Sequence, residues 1–217
     1  MELSITVIIV AVTTLVSLLA EANQQIKQQL IFYPPAISRN HQWYRFITCG
    51  LIHGDFGHLF FNMLSMYLFG RFVEEGFNGL FGDQGKWMYL FLYVSALFVS
   101  LMPTYTKHKD DPHYMSLGAS GAVSAIVFAG LMLVPTLGIY LFFIPIPIPG
   151  FIFAPLYLLF SFMMERKGGD NINHSAHIWG ALYGVLFMVI ASKSVDYPLL
   201  QNMVHEIGEY IRSKGWL

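Results

Sequence analysis

Charge is what this chain has least of. Only 12% of its 217 residues are Asp, Glu, Lys or Arg, against about 25% in a soluble domain. The formal net charge is -1, so nothing in the balance points to nucleic acid or to a strongly charged partner. There is one cysteine, Cys49. That excludes an internal disulfide and a cysteine cluster for zinc, and Cys49 reads as a small apolar filler. No internal repeat, no second domain and no HExxH signature of zinc proteases is present.

What the chain has in quantity is apolar residue. Hydrophobic residues make up 55% of it and the mean hydropathy is +0.54, which describes a polytopic membrane protein long enough for one compact bundle. A crossing helix needs about 20 mostly apolar residues. Six segments are candidates: residues 3–20, 57–73, 86–102, 117–134, 151–164 and 176–192. The fifth is short. It could begin earlier, within 139–144, except that Pro145, Pro147 and Pro149 break that run, so the proline stretch reads as a tight, membrane-hugging connection. The expected fold is an all-α membrane protein, a compact bundle of six transmembrane helices over residues 1–192. A long membrane-associated first loop covers residues 21–56, and residues 193–217 form a C-terminal tail with a short amphipathic helix. Residues 76–85 read as a Gly-rich turn, and 103–116 and 165–175 as polar loops. Ala20-Glu21-Ala22 resembles a signal-peptidase site, but Glu2 without any preceding Lys or Arg argues for a retained first span. Lys and Arg divide almost evenly between the two sides, so the positive-inside rule does not orient the bundle.

Span parity carries more. Spans two, four and six run in one direction, so their N-terminal ends share one leaflet. His58 and Asn62 lie in the first turns of span two, Ser120 at the start of span four and His177 at the start of span six. Each has a plain structural reading. A serine bonds back to its own helix, a histidine sits at the interface, and an asparagine joins helices. Four such groups at one depth, where polar groups are expensive, make a functional site the better reading. A nucleophile, a base and oxyanion donors are what acyl transfer needs. His177, Gly180 and Gly184 share one helix face, and the Gly180–Gly184 pair lets two backbones approach closely. Span four offers Gly118, Gly121, Ala122, Ala125 and Ala129 to meet it. No carboxylate lies near this site in spans four or six. The expectation is therefore a Ser-His dyad, unless Asp55 or Asp170 folds in from a loop. A metal site built from His174 and His177, with His53 and His58, is the rival chemistry. Without HExxH it is the weaker one, and neither a metal nor a cofactor is expected.

These residues match a family. The chain resembles the rhomboid intramembrane serine proteases over nearly its whole length. The resemblance rests on Gly118-Ala119-Ser120-Gly121, on His53-Gly-Asp-Phe-Gly-His58-Leu-Phe-Phe-Asn62, and on Ala176-His177-Ile-Trp-Gly180-Ala-Leu-Tyr-Gly184. It implies that Ser120 is the nucleophile and His177 the general base. It makes His58, Asn62 and the Ser120 N–H the oxyanion hole, and His53 and Arg45 structural residues near the site. Gly70 and Glu74 also match a structural pattern of the family. The implied activity is endopeptidase cleavage within transmembrane segments of other membrane proteins. The implied location is the bacterial cytoplasmic membrane, with both termini cytoplasmic and the lipid bilayer as surroundings. A relative of the same fold that only binds membrane helices is the second rival; such relatives usually lack the serine or the histidine. Two residues depart from the family pattern. Tyr44 stands directly before Arg45, where the family usually has tryptophan. Ser124 stands four residues after the nucleophile, where some members carry a tyrosine that stacks on the catalytic histidine.

Overall fold

The computed structural model describes residues 4–141 and 144–216. Its elements are α1 (Ile5–Ala22), α2 (Gln24–Leu30), α3 (Pro34–Asn40), α4 (Arg45–Thr48), α5 (Phe56–Phe81), α6 (Gly85–His108), α7 (Ser120–Leu133), β1 (Gly138–Leu141), β2 (Ile144–Pro149), α8 (Gly150–Lys167), α9 (His174–Lys193) and α10 (Leu199–Ser213). The architecture is all-α apart from one small antiparallel hairpin. Among the described residues, Ile5–Ala22, Phe56–His108 and His174–Lys193 are long and apolar enough to cross a membrane. The second of these is α5 and α6, folded back on each other at Gly82–Gln84. Ser120–Leu133 is apolar but shorter.

Helix α1 is inside-out by the standards of a soluble protein. The buried residues of α1 are Thr6, Thr13, Ser17 and Ala20, all small and mostly hydroxylic, while Leu15, Leu18 and Leu19 point outward. Lipid solvates leucine as well as a core does, so helix contacts in a bilayer rely on small residues and polar bonds. Glu74 of α5 supplies such bonds for α1. Its carboxylate accepts from Ser4 Oγ at 2.6 Å, Ile5 N at 2.7 Å and Thr6 N at 3.0 Å, satisfying donors that a helix start leaves open. Gly70 makes room one turn earlier, where a Cβ would come within 2.8 Å of Thr6 Cγ2 and 2.6 Å of the Tyr89 hydroxyl.

The central pair is α7 and α9, which share the largest helix interface. A Cβ on Gly180 would strike the Gly121 carbonyl, and one on Gly184 the Ala125 carbonyl. Each contact advances four residues on both helices, so the two run parallel with their backbones touching. On the other side of α7, Gly130 meets Val73 of α5, where a Cβ would stand 3.1 Å from Val73 Cγ2. Around this core pack Met66, Phe77, Tyr89, Leu92, Ile126 and Met188.

Several boundaries differ from the sequence expectation. Residue 3, where the first span was expected to begin, lies outside the described residues. Helix α5 continues through Gly76 and Gly79 and stops only at Gly82, whose φ of +54° ends it; the expected Gly-rich turn shrinks to three residues. Helix α6 runs through Pro103 to His108, so the first six residues of the expected polar loop are helical. The first loop carries α2, α3 and α4. Arg45 organises it from within: Nη1 donates to the carbonyls of Gln28 at 2.9 Å and Ile31 at 2.7 Å, and Nε to Gln42 Oε1 at 2.6 Å. Its guanidinium also lies 5.5 Å from the Tyr44 ring centroid, which accommodates the tyrosine found before it. The proline stretch is β2, paired with β1 through Ile139 and Ile148. A helical start over 139–144 is thus ruled out by strand in its described part. The last helix, α10, docks onto the bundle through Thr136–Glu206 and a Phe151–Tyr210 ring contact.

Three stability outcomes follow from this packing. Gly180→Ala should destabilise the protein by about 1–3 kcal/mol or more, because the obstacle is backbone that cannot rotate away. Gly79→Ala, with open space around it, should be neutral or slightly stabilising. Thermal unfolding in one detergent, read for both variants, compares them directly. Glu74→Ala should lower stability by about 1–3 kcal/mol through unsatisfied α1 donors, and protease nicking near residue 5 should report the loosened helix.

Candidate active site

The N-terminal ends of α5, α7 and α9 converge. Asp55 caps α5 by accepting from His58 N at 2.8 Å, which sets His58 in the first turn. Gly118 adopts φ +113°, a conformation that favours glycine, and a Cβ there would fall 2.8 Å from His58 Cε1 and 2.9 Å from Nε2. The His58 ring therefore lies against Gly118, two residues before Ser120. Ser120 is the first residue of α7, and no side chain caps that helix. Its first N–H groups are free of intrahelical acceptors and face the same end. From the third side, the Ala176 carbonyl lies 3.2 Å from where a Gly121 Cβ would stand. Thus the neighbours of Ser120 and His177 in sequence, Gly121 and Ala176, are in contact.

Hydrogen bonds assign roles to the rings. The Gly54 N–H donates to His58 Nδ1 at 3.5 Å, so neutral His58 carries its proton on Nε2, beside Gly118. His53 Nδ1 sits 2.9 Å from Ser17 Oγ, and that hydroxyl also donates to the Leu51 carbonyl at 2.9 Å. His53 therefore donates from Nδ1, and its ring meets that of His58 edge-on at 4.9 Å. Burial pushes the His53 imidazole down to about 3, helped by the nearby His58, which keeps it neutral as a prop. Asn62 is buried and donates one amide hydrogen to His58 O at 3.0 Å; among the described residues its second hydrogen has no acceptor.

His177 lies between two rings. His174 meets it edge-on at 5.7 Å, and Tyr157 of α8 stacks on it at 6.4 Å with 22° between planes. Neither loop acid bonds His177 among the described residues. Asp55 is the α5 cap, and Asp170 bonds His174 Nε2 at 3.0 Å, a bond that holds the Asp170 carboxyl below its ordinary range. Ser120 and His177 likewise make no direct hydrogen bond among the described residues. Apo sites often hold such pairs loosely. Among the described residues no group of three or more His, Cys, Asp and Glu is arranged to hold a metal ion. A cavity of ≈ 10 Å³ lies behind Ser120, lined by Ser100, Gly118, Gly121, Asn173 and Ala176; that is about the room one water needs.

Three residues at this site escaped the sequence reading. Asn173 caps α9 by accepting from Ala176 N at 3.0 Å and accepts from Thr104 Oγ1 at 3.1 Å. Ser100 packs on Gly121. Tyr157 contacts the His177 ring. A signal for Tyr157 was available: with Ser161 it forms an i, i+4 polar pair in an otherwise apolar span, and such pairs face the bundle interior.

Comparison with known proteins agrees with this architecture. The family model for the Rhomboid domain matches residues 40–194. The mitochondrial RHOMBOID-like protein 12 of Arabidopsis thaliana is 29% identical over 145 residues, covering 62% of this chain and 42% of the relative. The chloroplastic Rhomboid-like protein 11 of the same plant is 31% identical over 180 residues, covering 74% and 57%. YdcA of Bacillus subtilis (strain 168), by name a candidate rhomboid protease, is 29% identical over 165 residues, covering 73% of each chain. The chain thus spans about half the length of the plant relatives it matches. With a family match over most of its length and helices suited to a bilayer, it is an integral membrane protein that belongs to the rhomboid family.

Proposed function

We propose that the protein is an intramembrane serine endopeptidase whose unit is residues 1–192. It cleaves transmembrane segments of other membrane proteins through a Ser120–His177 dyad. The observation that carries this reading is the backbone contact of α7 with α9, which brings Gly121 against Ala176 and so sets the two candidate groups on facing helix starts. Ser120 Oγ attacks a peptide carbonyl carbon while His177 takes its proton. The tetrahedral oxyanion forms at the open N-terminus of α7, where free N–H groups and the helix dipole favour negative charge. His58 Nε2–H and the spare Asn62 amide hydrogen supply further donors. The C–N bond then breaks, His177 protonates the departing amine, and water hydrolyses the acyl-enzyme. Gly118 and Gly121 keep the nucleophile accessible, while His53, Arg45, Gly180 and Gly184 hold the frame. Substrate helices must unwind before attack, because every peptide group in them is already bonded, so segments containing Gly or Pro suit the site. Family resemblance supports a bacterial cytoplasmic membrane with both termini cytoplasmic.

Cleavage of a reconstituted transmembrane substrate tests the reading. Ser120→Ala and His177→Ala should each lower kcat by several orders of magnitude and show little further loss when combined. Asn62→Ala should cost about 10²–10³ in kcat if it donates to the oxyanion. A fluorophosphonate probe should label the native protein and not Ser120→Ala. Undiminished cleavage by Ser120→Ala removes the proposal.

A further inference from the structure

Among the described residues the His177 side chain makes no hydrogen bond, so ring packing alone sets the plane of its imidazole. The partner on its face is Tyr157, from a helix that carries none of the family's motif residues. What fixes Tyr157 is legible from proton counting. Ser124 Oγ donates to the Ser120 carbonyl at 2.8 Å, which commits its one hydrogen. The Tyr157 hydroxyl, 2.7 Å from the same oxygen, must then be the donor to Ser124. A directed chain results: Tyr157 O–H to Ser124 Oγ–H to the carbonyl of Ser120. It ties the ring stacked on the base to the backbone of the nucleophile. The Tyr157 ring also packs against Phe153 at 5.7 Å and Phe128 at 5.5 Å, contacts that restrict its tilt.

We propose that Tyr157 is a positioning residue, its ring locked by Ser124 so that it fixes the His177 imidazole for proton exchange with Ser120. This rests on the serine-protease reading above. It also gives Ser124 a purpose. A tyrosine at position 124 would bring its own ring to the site. The serine instead anchors a ring delivered from α8. Tyr157 takes no part in the bonds made or broken; it acts through His177.

The test uses the full chain in liposomes with a transmembrane model substrate, and a fluorophosphonate probe as a second readout. Tyr157→Leu should lower kcat and the labelling rate together by about ten- to a hundredfold, with KM unchanged. Tyr157→Phe keeps the ring and should restore most of that loss. Tyr157→Phe removes one bond of this chain and Ser124→Ala removes both, so each should slow kcat slightly and the double variant no more than Ser124→Ala alone. Wild-type kcat in Tyr157→Leu overturns the proposal. So does a Tyr157→Leu loss that appears equally in KM and is not restored by phenylalanine. If Tyr157→Leu fails to fold, the comparison of Tyr157→Phe and Ser124→Ala with their double variant decides, because additive losses or none at all in that set overturn the proposal. Ser120→Ala, run alongside, separates the two levels. Activity there ends the protease reading itself, whereas a silent Ser120→Ala beside a normal Tyr157→Leu ends only the positioning role.

Discussion

Backbone contact between α7 and α9 is the constraint on which the rest of the molecule depends. At Gly180 and Gly184 the carbonyls of the opposite helix occupy the space where a side chain would begin. Leucine-on-leucine packing holds helices 8–10 Å apart; only glycine permits this closer approach. The two contacts share one spacing, so they fix rotation and register as well as distance. Ser120 lies one residue before the first contact on α7, and His177 three residues before its partner on α9. The relative position of the two candidate reactive groups is thus inherited from a place without any reactive group. The other elements serve this pair: α5 packs against α7 along its length, α6 braces it through Ser100, and α8 reaches it through Tyr157.

Around that axis the protein manages a polar inventory that lipid would punish. Several helix starts are settled locally, one end at a time. Glu74 closes the start of α1, Asp55 that of α5 and Asn173 that of α9. Of the three helix starts that meet at the site, those of α5 and α9 carry a side-chain cap and that of α7 does not. An uncapped helix start between two capped ones is an attractive seat for negative charge. The first loop follows the same economy, with Arg45 gathering carbonyls from two turns of chain that would otherwise lack donors.

Much of this was legible in the sequence because membrane helices leave coarse signatures. The convergence of His58, Ser120 and His177 at one end follows from parity alone, and the GxxxG phase with His177 anticipated the α7–α9 contact. Boundaries were less visible. Hydropathy falls where a helix leaves lipid, but the helix itself continues into water, so α5 and α6 outrun their apolar segments to Phe81 and His108. Pro103 read as an end because proline removes one donor and crowds the preceding turn; in α6 the helix continues beyond it. The short helices of the first loop lack apolar periodicity and are held by Arg45, a tertiary interaction that no local pattern announces. Tyr157 was missed for a related reason: its importance lies in what it touches on another helix, and only its spacing with Ser161 marks it within its own apolar segment.

The hairpin between α7 and α8 has a property that follows from its composition. Proline can stand in a strand only where its missing N–H would have pointed away from the neighbour. Pro147 and Pro149 in β2 therefore leave that strand's outer margin short of amide hydrogens. An unpaired strand is ordinarily an invitation to fibrils and to unwanted dimers. Here the invitation is withdrawn by the ring nitrogens themselves, and the ribbon can lie at a greasy boundary without recruiting a third strand.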